Sequence, residues 1–505
     1  MQENLHAVLR KYWGYDEFRP LQGRIVQSLI DGHDCAVIMP TGGGKSLCYQ
    51  LPAVVSGRTA VVVSPLISLM QDQAASLEQM GIPAAALNSQ IAWPEQQNIM
   101  RRAVNGEYRL LYLSPERLLR EEFIEFLGRV PLAFFAIDEA HCISEWGHEF
   151  RPEYRQLRRL RELFPEHPIA AFTASATKQV RHDILRQLSL RDPHKYIASF
   201  HRPNLNYHVK MTDGKTQGRM LLSAVESYAD STIIVYAPTI ARVGETVGFL
   251  EKNGIEAIPY HGKMDGDERS RNQERWMSDE VRVLVGTIAF GLGINKPSVR
   301  AVIHLALPKS IEQYYQEAGR AGRDGAQADC VLLWQTKDAG ILAWFTQQIA
   351  DTQERQRAWD SYHAIRKFAE GDVCRHRQIC LHFGETPKWD RCNACDVCAP
   401  QLDWMSAGFT SDQATRVSET PRVRSRISAQ PDSALLLHMR EWRRGFARQR
   451  GVPAFMILND ASLADLCRKE PQTLGDLLEV TGIGEKKAQS FGKEILAAIR
   501  NFSLR

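Results

Sequence analysis

A glycine-rich segment near the N-terminus has the residue types of a nucleoside triphosphate site. It reads MPTGGGKS, Met39 to Ser46, and follows an apolar run at residues 35–38 that predicts a strand. Glycines let backbone N–H groups turn toward phosphate oxygens, and the start of a helix adds its positive end. Lys45 would then reach the β- and γ-phosphates, and Ser46 would bind Mg²⁺. The remaining cradle residues would be Thr41, Gly42, Gly43 and Gly44.

The strict phosphate-loop pattern has glycine where this chain has Met39, so a chance glycine-rich turn is the alternative. A second segment favours the nucleotide site. FFAIDEAH, residues 134–141, is an apolar strand pattern that ends in Asp138 and Glu139. Asp138 suits Mg²⁺ and Glu139 suits orienting the attacking water, and adjacent buried carboxylates are costly without a cation.

Two arginines further along the chain could act on the same phosphates. QEAGRAGRDG, residues 316–325, places Arg320 and Arg323 three residues apart on a helical side shared with Gln316. An arginine that reaches the γ-phosphate from a second domain stabilises transition-state charge, worth roughly 10³ to 10⁵ in rate. A surface helix with two solvated arginines is the alternative.

The segment before the phosphate loop could hold a base. In GYDEFRPLQ, residues 14–22, the Gln22 amide can pair with both N6 and N7 of adenine. Tyr15 offers a ring to stack on the base, and Arg19 a nearby charge. A solvated helix start would look the same.

Two further segments could contact nucleic acid. SPLISLMQDQ, residues 64–73, is either a turn that offers N–H groups to a phosphate or an ordinary capped helix. HCISEWGHEFRPEY, residues 141–154, has aromatic residues four apart, but Gly147 and Pro152 break a regular helix. We interpret it as a stacking platform for single-stranded bases rather than a buried wedge. Its candidate side chains are Trp146, His148, Phe150 and Arg151, and Tyr154 follows at the same spacing. FTASAT, residues 172–177, could link this loop to the hydrolysis site.

Five of the ten cysteines lie within 25 residues. Four of them have the spacing Cys-x17-Cys-x2-Cys-x2-Cys, which predicts a tetrahedral Zn²⁺ site that staples a small subdomain. The predicted ligands are Cys374, Cys392, Cys395 and Cys398, and Cys380 is left over.

The elements that must position these side chains alternate between strand and helix patterns. Apolar runs precede the motifs, which predicts parallel sheets covered on both faces and a pocket at the strand C-termini. The runs fall into two tandem blocks, at 35–38, 60–64, 110–113, 134–137 and 169–172, and at 232–236, 257–260, 282–285 and 301–305. We expect a cleft between the blocks, lined by residues 286–297 and 316–325.

Composition indicates an intracellular, cytoplasmic globular protein, because the chain has no apolar run long enough for a membrane span and no signal-peptide core at its start. Its 505 residues imply three or four domains. Residues 401–505 carry 16 Lys and Arg against 12 Asp and Glu, so the whole net charge of +4 lies there. A polyanion partner must therefore be held mainly by local patches.

The C-terminal part combines a linker with a helical bundle. Residues 401–430 are polar, with an Arg-rich piece at 421–426, and from about 431 the pattern is helical. The turn GIGEKK, residues 482–487, could offer backbone N–H groups, Lys486 and Lys487 to a phosphate. A plain helix–turn–helix with solvated lysines is equally consistent with it.

Taken together and in this order, the motifs resemble those of the RecQ family of superfamily 2 helicases. The motifs that carry the resemblance are GYDEFRPLQ, TGGGKS, DEAH with CISEWGHEFRPEY, AFGLGINKP and YYQEAGRAGRDG. The resemblance implies an ATP- and Mg²⁺-dependent motor that walks 3′ to 5′ on one DNA strand and unwinds duplex in repair or recombination. It also implies adenine contacts by Tyr15, Arg19 and Gln22, and a packing role for Cys380, where the family has an apolar residue.

The resemblance also predicts the domain order. Two RecA-like lobes (1–200 and 201–340) precede a zinc-binding subdomain (341–400), a flexible linker (401–430) and an HRDC-like helical domain (431–505) that binds DNA or a protein partner.

The chain departs from the family pattern in two places. Ala237, Pro238 and Thr239 replace a Cys-Asn-Ser-Arg-like turn, which puts a DNA-backbone contact in doubt. Only 33 residues separate Cys398 from Asp432, too few for the winged-helix domain of many relatives.

We therefore predict an ATP-dependent DNA helicase acting on single strands and forked or duplex junctions. Three rival functions remain. One is a DNA-stimulated ATPase that translocates with little or no unwinding, and another is an RNA-directed helicase. A zinc-stabilised DNA-binding scaffold without enzymatic activity would require the loss of catalytic residues, yet Lys45, Glu139 and Arg320 are all present.

Overall fold

The protein folds into two parallel sheets in tandem, followed by two helical units. The structure, a computed structural model, describes residues 5–147, 149–288, 296–400, 402–406, 434–450 and 454–503. His148 and most of the predicted cleft segment 286–297 lie outside the described residues.

The first lobe contains a seven-stranded sheet in the order β3-β4-β2-β5-β6-β1-β7, in which all pairings are parallel. Its strands are β1 Cys35–Ile38, β2 Thr59–Val63, β3 Ala84–Leu87, β4 Leu110–Leu113, β5 Leu132–Ile137, β6 Ile169–Thr173 and β7 His194–Ile197. The sequence patterns missed two of them. β3 is mostly alanine, and β7 is an edge strand with three exposed residues, so neither gives a clear apolar run.

Ten α-helices of the first lobe connect these strands or flank the sheet. They are α1 Leu5–Trp13, α2 Gln22–Ile30, α3 Lys45–Ser56, α4 Ile67–Gln79, α5 Trp93–Val104, α6 Pro115–Leu118, α7 Glu121–Leu127, α8 Pro152–Arg155, α9 Arg159–Leu163 and α10 Lys178–Gln187. Short 3₁₀ turns occupy Ala140–Ile143 and Gln156–Arg158. Separate apolar clusters cover the two faces of the sheet, as the parallel arrangement requires.

The second lobe contains a six-stranded parallel sheet in the order β10-β11-β9-β12-β13-β8. Its strands are β8 Leu205–Met211, β9 Thr232–Tyr236, β10 Ala257–Tyr260, β11 Val283–Gly286, β12 Val299–His304 and β13 Ala328–Trp334. Its helices are α11 Gly214–Ser227, α12 Ile240–Lys252, α13 Gly266–Met277 and α14 Ile311–Ala318. The predicted α/β fold with two parallel-sheet lobes is confirmed.

Helices α15 Thr336–Gln347, α16 Thr352–Glu370 and α17 Arg375–His382 lead to the cysteine-rich turn. This subdomain shares its core with both lobes. The rings of Phe200 and Phe383 stack with centroids 4.4 Å apart, and one apolar cluster runs from β5 through α14 to α17. The predicted linker starts with another packed helix, α18 Asp403–Ser406, whose Met405 is buried against the second lobe.

The C-terminal unit is an all-helical bundle with a core of its own, as predicted. Its helices are α19 Ala434–Arg450, α20 Ala454–Ile457, α21 Asp460–Lys469, α22 Leu474–Leu477 and α23 Glu485–Ser503. Among the described residues, no helix is both long enough and apolar enough to cross a membrane.

Candidate functional site

The glycine-rich loop joins the end of β1 to the start of α3, where a phosphate site is expected. Gly42 and Gly44 have φ values of 81° and 82°, a left-handed conformation that favours glycine. Gly44 directly precedes Lys45, the first residue of α3, so the positive end of the helix faces the loop. The Lys45 ammonium group donates to the carbonyl oxygen of Met39 at 3.3 Å and folds over the loop.

The two predicted carboxylates follow β5, on the same edge of the sheet. Glu139 adopts a left-handed φ of 47°, and its N–H donates to Oδ1 of Asp138 at 3.0 Å. Burial, together with the neighbouring Glu139 carboxylate, raises the pKa of Asp138 to about 7, while Lys45 opposes the shift. A buried carboxyl in this state is suited to receive a cation, because a cation would offset the cost of ionisation.

His141 connects the carboxylates to the strand beside them. Its Nδ1 lies 3.2 Å from Oε2 of Glu139 and 2.9 Å from Oγ1 of Thr173 at the end of β6. Two residues later, the Ser175 hydroxyl accepts a hydrogen bond from the Gln316 amide of the second lobe at 3.0 Å. The small hydroxyl residues of FTASAT thus contact both the hydrolysis site and the opposite lobe.

The two arginines lie across the cleft from the phosphate loop. A Cβ added to Gly42 would lie 3.3 Å from Cα of Arg323, and one added to Gly319 would lie 3.6 Å from Cβ of Thr41. Arg320 is 7% exposed. Burial and the neighbouring Arg320 charge lower the pKa of Arg323 to about 9. Two guanidinium groups close together, one buried and one partly buried, make this side of the cleft electropositive.

These side chains line one cavity of about 530 Å³ between the lobes. Its lining includes most of the predicted nucleotide-site residues, namely Tyr15, Arg19, Thr41, Gly42, Gly44, Lys45, Ser46, Asp138, Glu139, Gln316, Arg320 and Arg323. The structure therefore brings together groups that are up to about 300 residues apart in the chain. Their chemical roles remain predictions.

The predicted base-binding segment is fastened to the phosphate loop. The Gln22 amide nitrogen donates to the carbonyl of Gly44 at 3.1 Å, and its Oε1 accepts the Arg19 N–H at 2.9 Å. The Arg19 guanidinium donates to the carbonyl of Gly42 at 2.6 Å. Gln22 thus holds the loop in this structure, and adenine pairing by its amide stays a prediction.

The loop at residues 141–154 divides its aromatic side chains between surface and core. Trp146 is 50% exposed, with the Arg357 guanidinium 5.4 Å from its ring centre. Tyr154 is fully buried, and its hydroxyl donates to the carbonyl of Asp138 at 3.1 Å. The platform interpretation stays a prediction for the exposed Trp146, whereas Tyr154 ties the loop to the carboxylates.

Arg151 links this loop to the other predicted nucleic-acid segment. Its guanidinium donates to the carbonyl of Pro65 at 3.1 Å, in the turn that leads to α4. Phe150 lies under Arg155, with the guanidinium 5.1 Å from the ring centre. A hydrogen bond therefore joins the two segments directly.

Sequence reasoning missed Arg202, which holds the turn that carries the two cleft arginines. It is 8% exposed and donates to the carbonyls of Gly319, Ala321 and Gly322 at 2.7–3.1 Å. It therefore fixes the turn that carries Arg320 and Arg323. The one sequence feature that could have drawn attention to Arg202 is its place in the segment HRPNLNY, residues 201–207. The carbonyl groups that it contacts lie more than 100 residues away in the chain.

Residues 237–239, where the family pattern departs, form an ordinary helix entry. The Thr239 hydroxyl accepts the Arg242 N–H at 3.1 Å and caps α12. Pro238 and Thr239 line a second cavity of about 1240 Å³ that also contains Trp146 and Phe150. The turn therefore faces the same space as the aromatic loop.

The four predicted thiols converge on one point. Sγ atoms of Cys374, Cys392, Cys395 and Cys398 all lie within 4.8 Å of one another. Tetrahedral Zn²⁺ with Zn–S bonds of about 2.3 Å needs sulfur separations of about 3.8 Å, so the set fits zinc. Cys380 is outside this group and buried in the apolar core, where burial raises its pKa to about 12.

The cysteine-rich turn is joined to the edge of the second sheet. Tyr207 on β8 donates its N–H to the carbonyl of Ala394 at 3.1 Å and accepts the Asp396 N–H at 2.9 Å. Arg375 and Asp396 form a buried two-pronged ion pair at 3.0 and 2.8 Å. The zinc site and the second lobe are therefore one packing unit.

Four family models match the chain in succession. They are DEAD/DEAH box helicase at residues 19–183, helicase conserved C-terminal domain at 216–325, RecQ zinc-binding at 336–399 and HRDC domain at 432–499. The ATP-dependent DNA helicase RecQ of Haemophilus influenzae is 33% identical, with 98% of this chain and 95% of the relative covered. The chain belongs to the RecQ helicase family. The resemblance of the motifs is thereby confirmed.

Bacillus subtilis RecQ is 31% identical over 100% of this chain and 99% of its own. The alignment to Haemophilus influenzae RecQ spans 595 positions, whereas this chain has 505 residues, so about 100 positions of that RecQ have no counterpart here. The shortfall is about the size of one small domain.

Solved structures support the fold of the two RecQ lobes. The helicase MrfA bound to DNA matches with a TM-score of 0.56 and 18% identity, covering 66% of this chain and 51% of that one. Mss116 bound to single-stranded RNA and AMP-PNP matches with a TM-score of 0.53 and 16% identity, covering 74% and 86%. Both matches support the fold described above.

Proposed function

We propose that this protein hydrolyses ATP with Mg²⁺ to move 3′ to 5′ along single-stranded DNA and to displace the opposite strand. The observation that supports this most strongly is the composite cavity, in which Lys45 and two carboxylates of one lobe line the same space as Arg320 and Arg323 of the other. Such a site is complete only when both lobes meet. ATP binding can therefore close the cleft, and product release after hydrolysis can open it.

Each group in the cavity has a role that matches its position. The loop N–H groups and Lys45 would hold the β- and γ-phosphates. Ser46 and Asp138 would hold Mg²⁺, which neutralises phosphate charge when it is bound. Glu139 would orient the attacking water, with His141 at 3.2 Å fixing its carboxylate. Arg320 and Arg323 would stabilise charge on the transferring phosphoryl group.

DNA enters this proposal through the loop at residues 141–154. Trp146 is exposed enough to stack on a base, and Arg151 and Tyr154 connect its loop to the turn at Pro65 and to Asp138. A displacement of Trp146 by a bound strand would therefore be transmitted to the carboxylates that act on ATP. We therefore expect single-stranded DNA to stimulate ATP hydrolysis.

The proposal is tested by strand displacement on forked DNA. A fork with a 3′ tail and one with a 5′ tail are compared, together with the rate of ATP hydrolysis on the same single strands. We expect ATP- and Mg²⁺-dependent unwinding of the 3′-tailed fork only. Unwinding from the 5′ tail would contradict the direction, and stimulation by RNA but not DNA would support the RNA-directed rival, which the names of the relatives do not favour.

A DNA-stimulated translocase with weak unwinding is the second candidate. It rests on the interval of 33 residues between Cys398 and Asp432 and on the unmatched positions of the longer relative, whereas the names of the relatives favour a helicase. DNA-stimulated hydrolysis without displacement of a duplex of about 20 base pairs would favour it. Protein displacement from a single strand would then be the measurable motor activity.

A further inference from the structure

The loop with the aromatic side chains folds back onto the segment from which it leaves. The N–H of Arg151 donates to the carbonyl of Cys142 at 2.9 Å and closes the loop across its base. A Cβ added to Gly147 would lie 2.5 Å from the carbonyl oxygen of His141, so the loop also lies flat against this segment. This packing brings Glu149 next to His141 and Cys142.

Three side chains of different chemistry meet at this point. Nε2 of His141 lies 3.8 Å from Sγ of Cys142 and 4.0 Å from Oε2 of Glu149. One ligand atom from each residue lies within 4.8 Å of the other two. A tetrahedral Zn²⁺ site, with bonds of about 2.0–2.3 Å, separates such atoms by about 3.3–3.6 Å. Shifts of about half an ångström by each side chain would therefore let all three bind one ion.

The surroundings of His141 are those of a metal ligand. Its other ring nitrogen, Nδ1, lies 3.2 Å from Oε2 of Glu139. A histidine that binds a metal commonly donates its second N–H to a carboxylate, which orients the ring so that the opposite nitrogen is the ligand. His141 is 1% exposed and Cys142 is fully buried. The packing thus holds the imidazole and the thiol in place before an ion binds.

Glu149 supplies the third ligand from the side of a cavity. Its Oε2 is buried and has no hydrogen-bond partner among the residues that the structure describes. Burial raises the pKa of this carboxyl, and a bound cation would offset the cost of ionising it. Glu149 lines the cavity of about 1240 Å³ that also contains Trp146. An ion can therefore reach the three ligand atoms from that space.

We propose that His141, Cys142 and Glu149 form a second transition-metal site, and that Zn²⁺ bound there inhibits DNA-stimulated ATP hydrolysis. The inhibition rests on the proposed function, whereas the binding of the ion does not. A thiolate, an imidazole and a carboxylate suit Zn²⁺ or Co²⁺, with water in the fourth position. The thiol proton of Cys142 passes to solvent when the ion binds. Mg²⁺ prefers oxygen ligands alone, so the Mg²⁺ that accompanies ATP does not compete for this site.

Two features of the site account for the inhibition. Cys142 and Glu149 lie on either side of Trp146 in the chain, so one ion bound to both would hold the loop that is proposed to respond to DNA. Arg320 lines the same cavity as Glu149, and its charge acts on the Glu149 carboxyl. A divalent cation on that carboxyl would repel the Arg320 guanidinium, which is proposed to act on the γ-phosphate. Zn²⁺ should lower the DNA-stimulated rate by both routes.

Binding is measured by titrating Co²⁺ into the full-length protein, with Zn²⁺ already supplied to the four-cysteine site. We expect a second metal ion with a thiolate-to-Co²⁺ charge-transfer absorption. Cys142→Ala should remove this absorption, and both Cys142→Ala and Glu149→Gln should weaken binding of the second ion at least tenfold. Glu145→Gln is the control, because Glu145 lies in the same loop but pairs with Arg155 at 2.8 Å and is not one of the three ligands. It should bind Co²⁺ as the wild type does.

Inhibition is measured by adding Zn²⁺ to the ATPase assay on single-stranded DNA with excess Mg²⁺. The wild type and Glu145→Gln should be inhibited, whereas Cys142→Ala should need at least tenfold more Zn²⁺ for the same loss. Should Cys142→Ala not fold, the partly exposed Glu149 allows the same comparison with Glu149→Gln.

Two results would overturn the inference. If the wild type binds no second ion, or binds it no better than both ligand variants do, His141 is only an ion-pair partner of the two carboxylates. If Co²⁺ binds but Zn²⁺ leaves the DNA-stimulated rate unchanged, the inhibitory role is wrong. Absence of ATP hydrolysis by the wild type without added Zn²⁺ would instead refute the proposed function, and the Co²⁺ titration, which needs no turnover, would still decide whether the site exists.

Discussion

Arg323 of the second lobe lies directly against Gly42 of the phosphate loop, where a Cβ on the glycine would approach Cα of the arginine to 3.3 Å. The turn that follows α14 thereby brings Arg323 to the loop that precedes α3. The two lobes therefore meet at the phosphate loop in this structure. The proposed nucleotide site and the proposed motor mechanism both depend on this contact.

Arg320→Ala and Arg323→Ala should each lower kcat for ATP hydrolysis by roughly 10³ or more, since each removes charge that acts on the transition state. Binding of a fluorescent ATP analogue should change much less. Arg366→Ala, which removes an exposed arginine paired with Glu370 on α16, is the control and should retain full turnover. Equal losses of kcat and of nucleotide affinity would place the arginines in ground-state binding instead.

Gly42→Ala should abolish ATP hydrolysis and destabilise the protein. The substitution combines a left-handed φ of 81° with a close approach to Arg323. Gly57→Ala is matched to it, because Gly57 has a φ of 66° and open space around its Cα. That control should lose only about 1–2 kcal/mol of stability and keep its activity. Thermal unfolding and steady-state ATPase assays measure the two effects, and an active Gly42→Ala variant would refute the close contact.

Asp138→Asn should stabilise the nucleotide-free protein, and the gain should grow with pH. In the unfolded chain the carboxyl ionises near its ordinary pKa, whereas in the fold its pKa is about 7. The folded state therefore binds more protons between these values, and wild-type stability falls as pH rises through this window. We expect a difference on the order of a few kcal/mol above pH 7 that vanishes near pH 4. Chemical denaturation without Mg²⁺ measures it, and a pH-independent difference would contradict the buried, cation-free carboxyl.

Cys395→Ser should lose zinc and lower the unfolding temperature, since it removes one of four converging thiolates. Cys380→Ser is the control. That cysteine is buried nearby but lies outside the cluster, so zinc content should stay at one ion per chain. Metal analysis and thermal unfolding give both readings. Zinc retained in Cys395→Ser and lost in Cys380→Ser would exchange the two assignments.

Trp146→Ala should reduce the stimulation of ATP hydrolysis by single-stranded DNA by about tenfold, while hydrolysis without DNA changes little. Base stacking on an aromatic side chain contributes about 1–3 kcal/mol. Trp93→Ala removes another exposed tryptophan, 58% accessible at the start of α5, and should leave the stimulation intact. If the variant loses both activities equally, Trp146 supports the fold rather than DNA coupling.

The sequence predicts the nucleotide and zinc sites well because each motif follows a buried strand or has ligand spacing. Lys45, Asp138 and Glu139 lie at strand ends of one sheet, and parallel strands place such ends at one edge. The sequence patterns did not predict four of the strands, namely β3, β7, β8 and β13. Edge position and alternating polarity account for β7 and β8.

Contacts between distant segments could not be predicted in the same way. Arg202 stabilises the arginine turn through carbonyl groups, which any residue offers, so its partners leave no trace in the sequence. The docking of Gly482 on Gly14 is likewise a backbone contact. Tyr154 has the same helical spacing as Trp146, and only packing shows that one ring is buried while the other is exposed.

The pairing of Tyr207 with the cysteine-rich turn has a consequence for behaviour at high protein concentration. β8 is the last strand of its sheet, and a bare outer strand offers unpaired N–H and C=O groups to any neighbouring molecule. The turn held by Cys395 satisfies part of that row. Loss of the metal would expose it, so chelation should cause self-association of chains through β8 before the lobes themselves unfold.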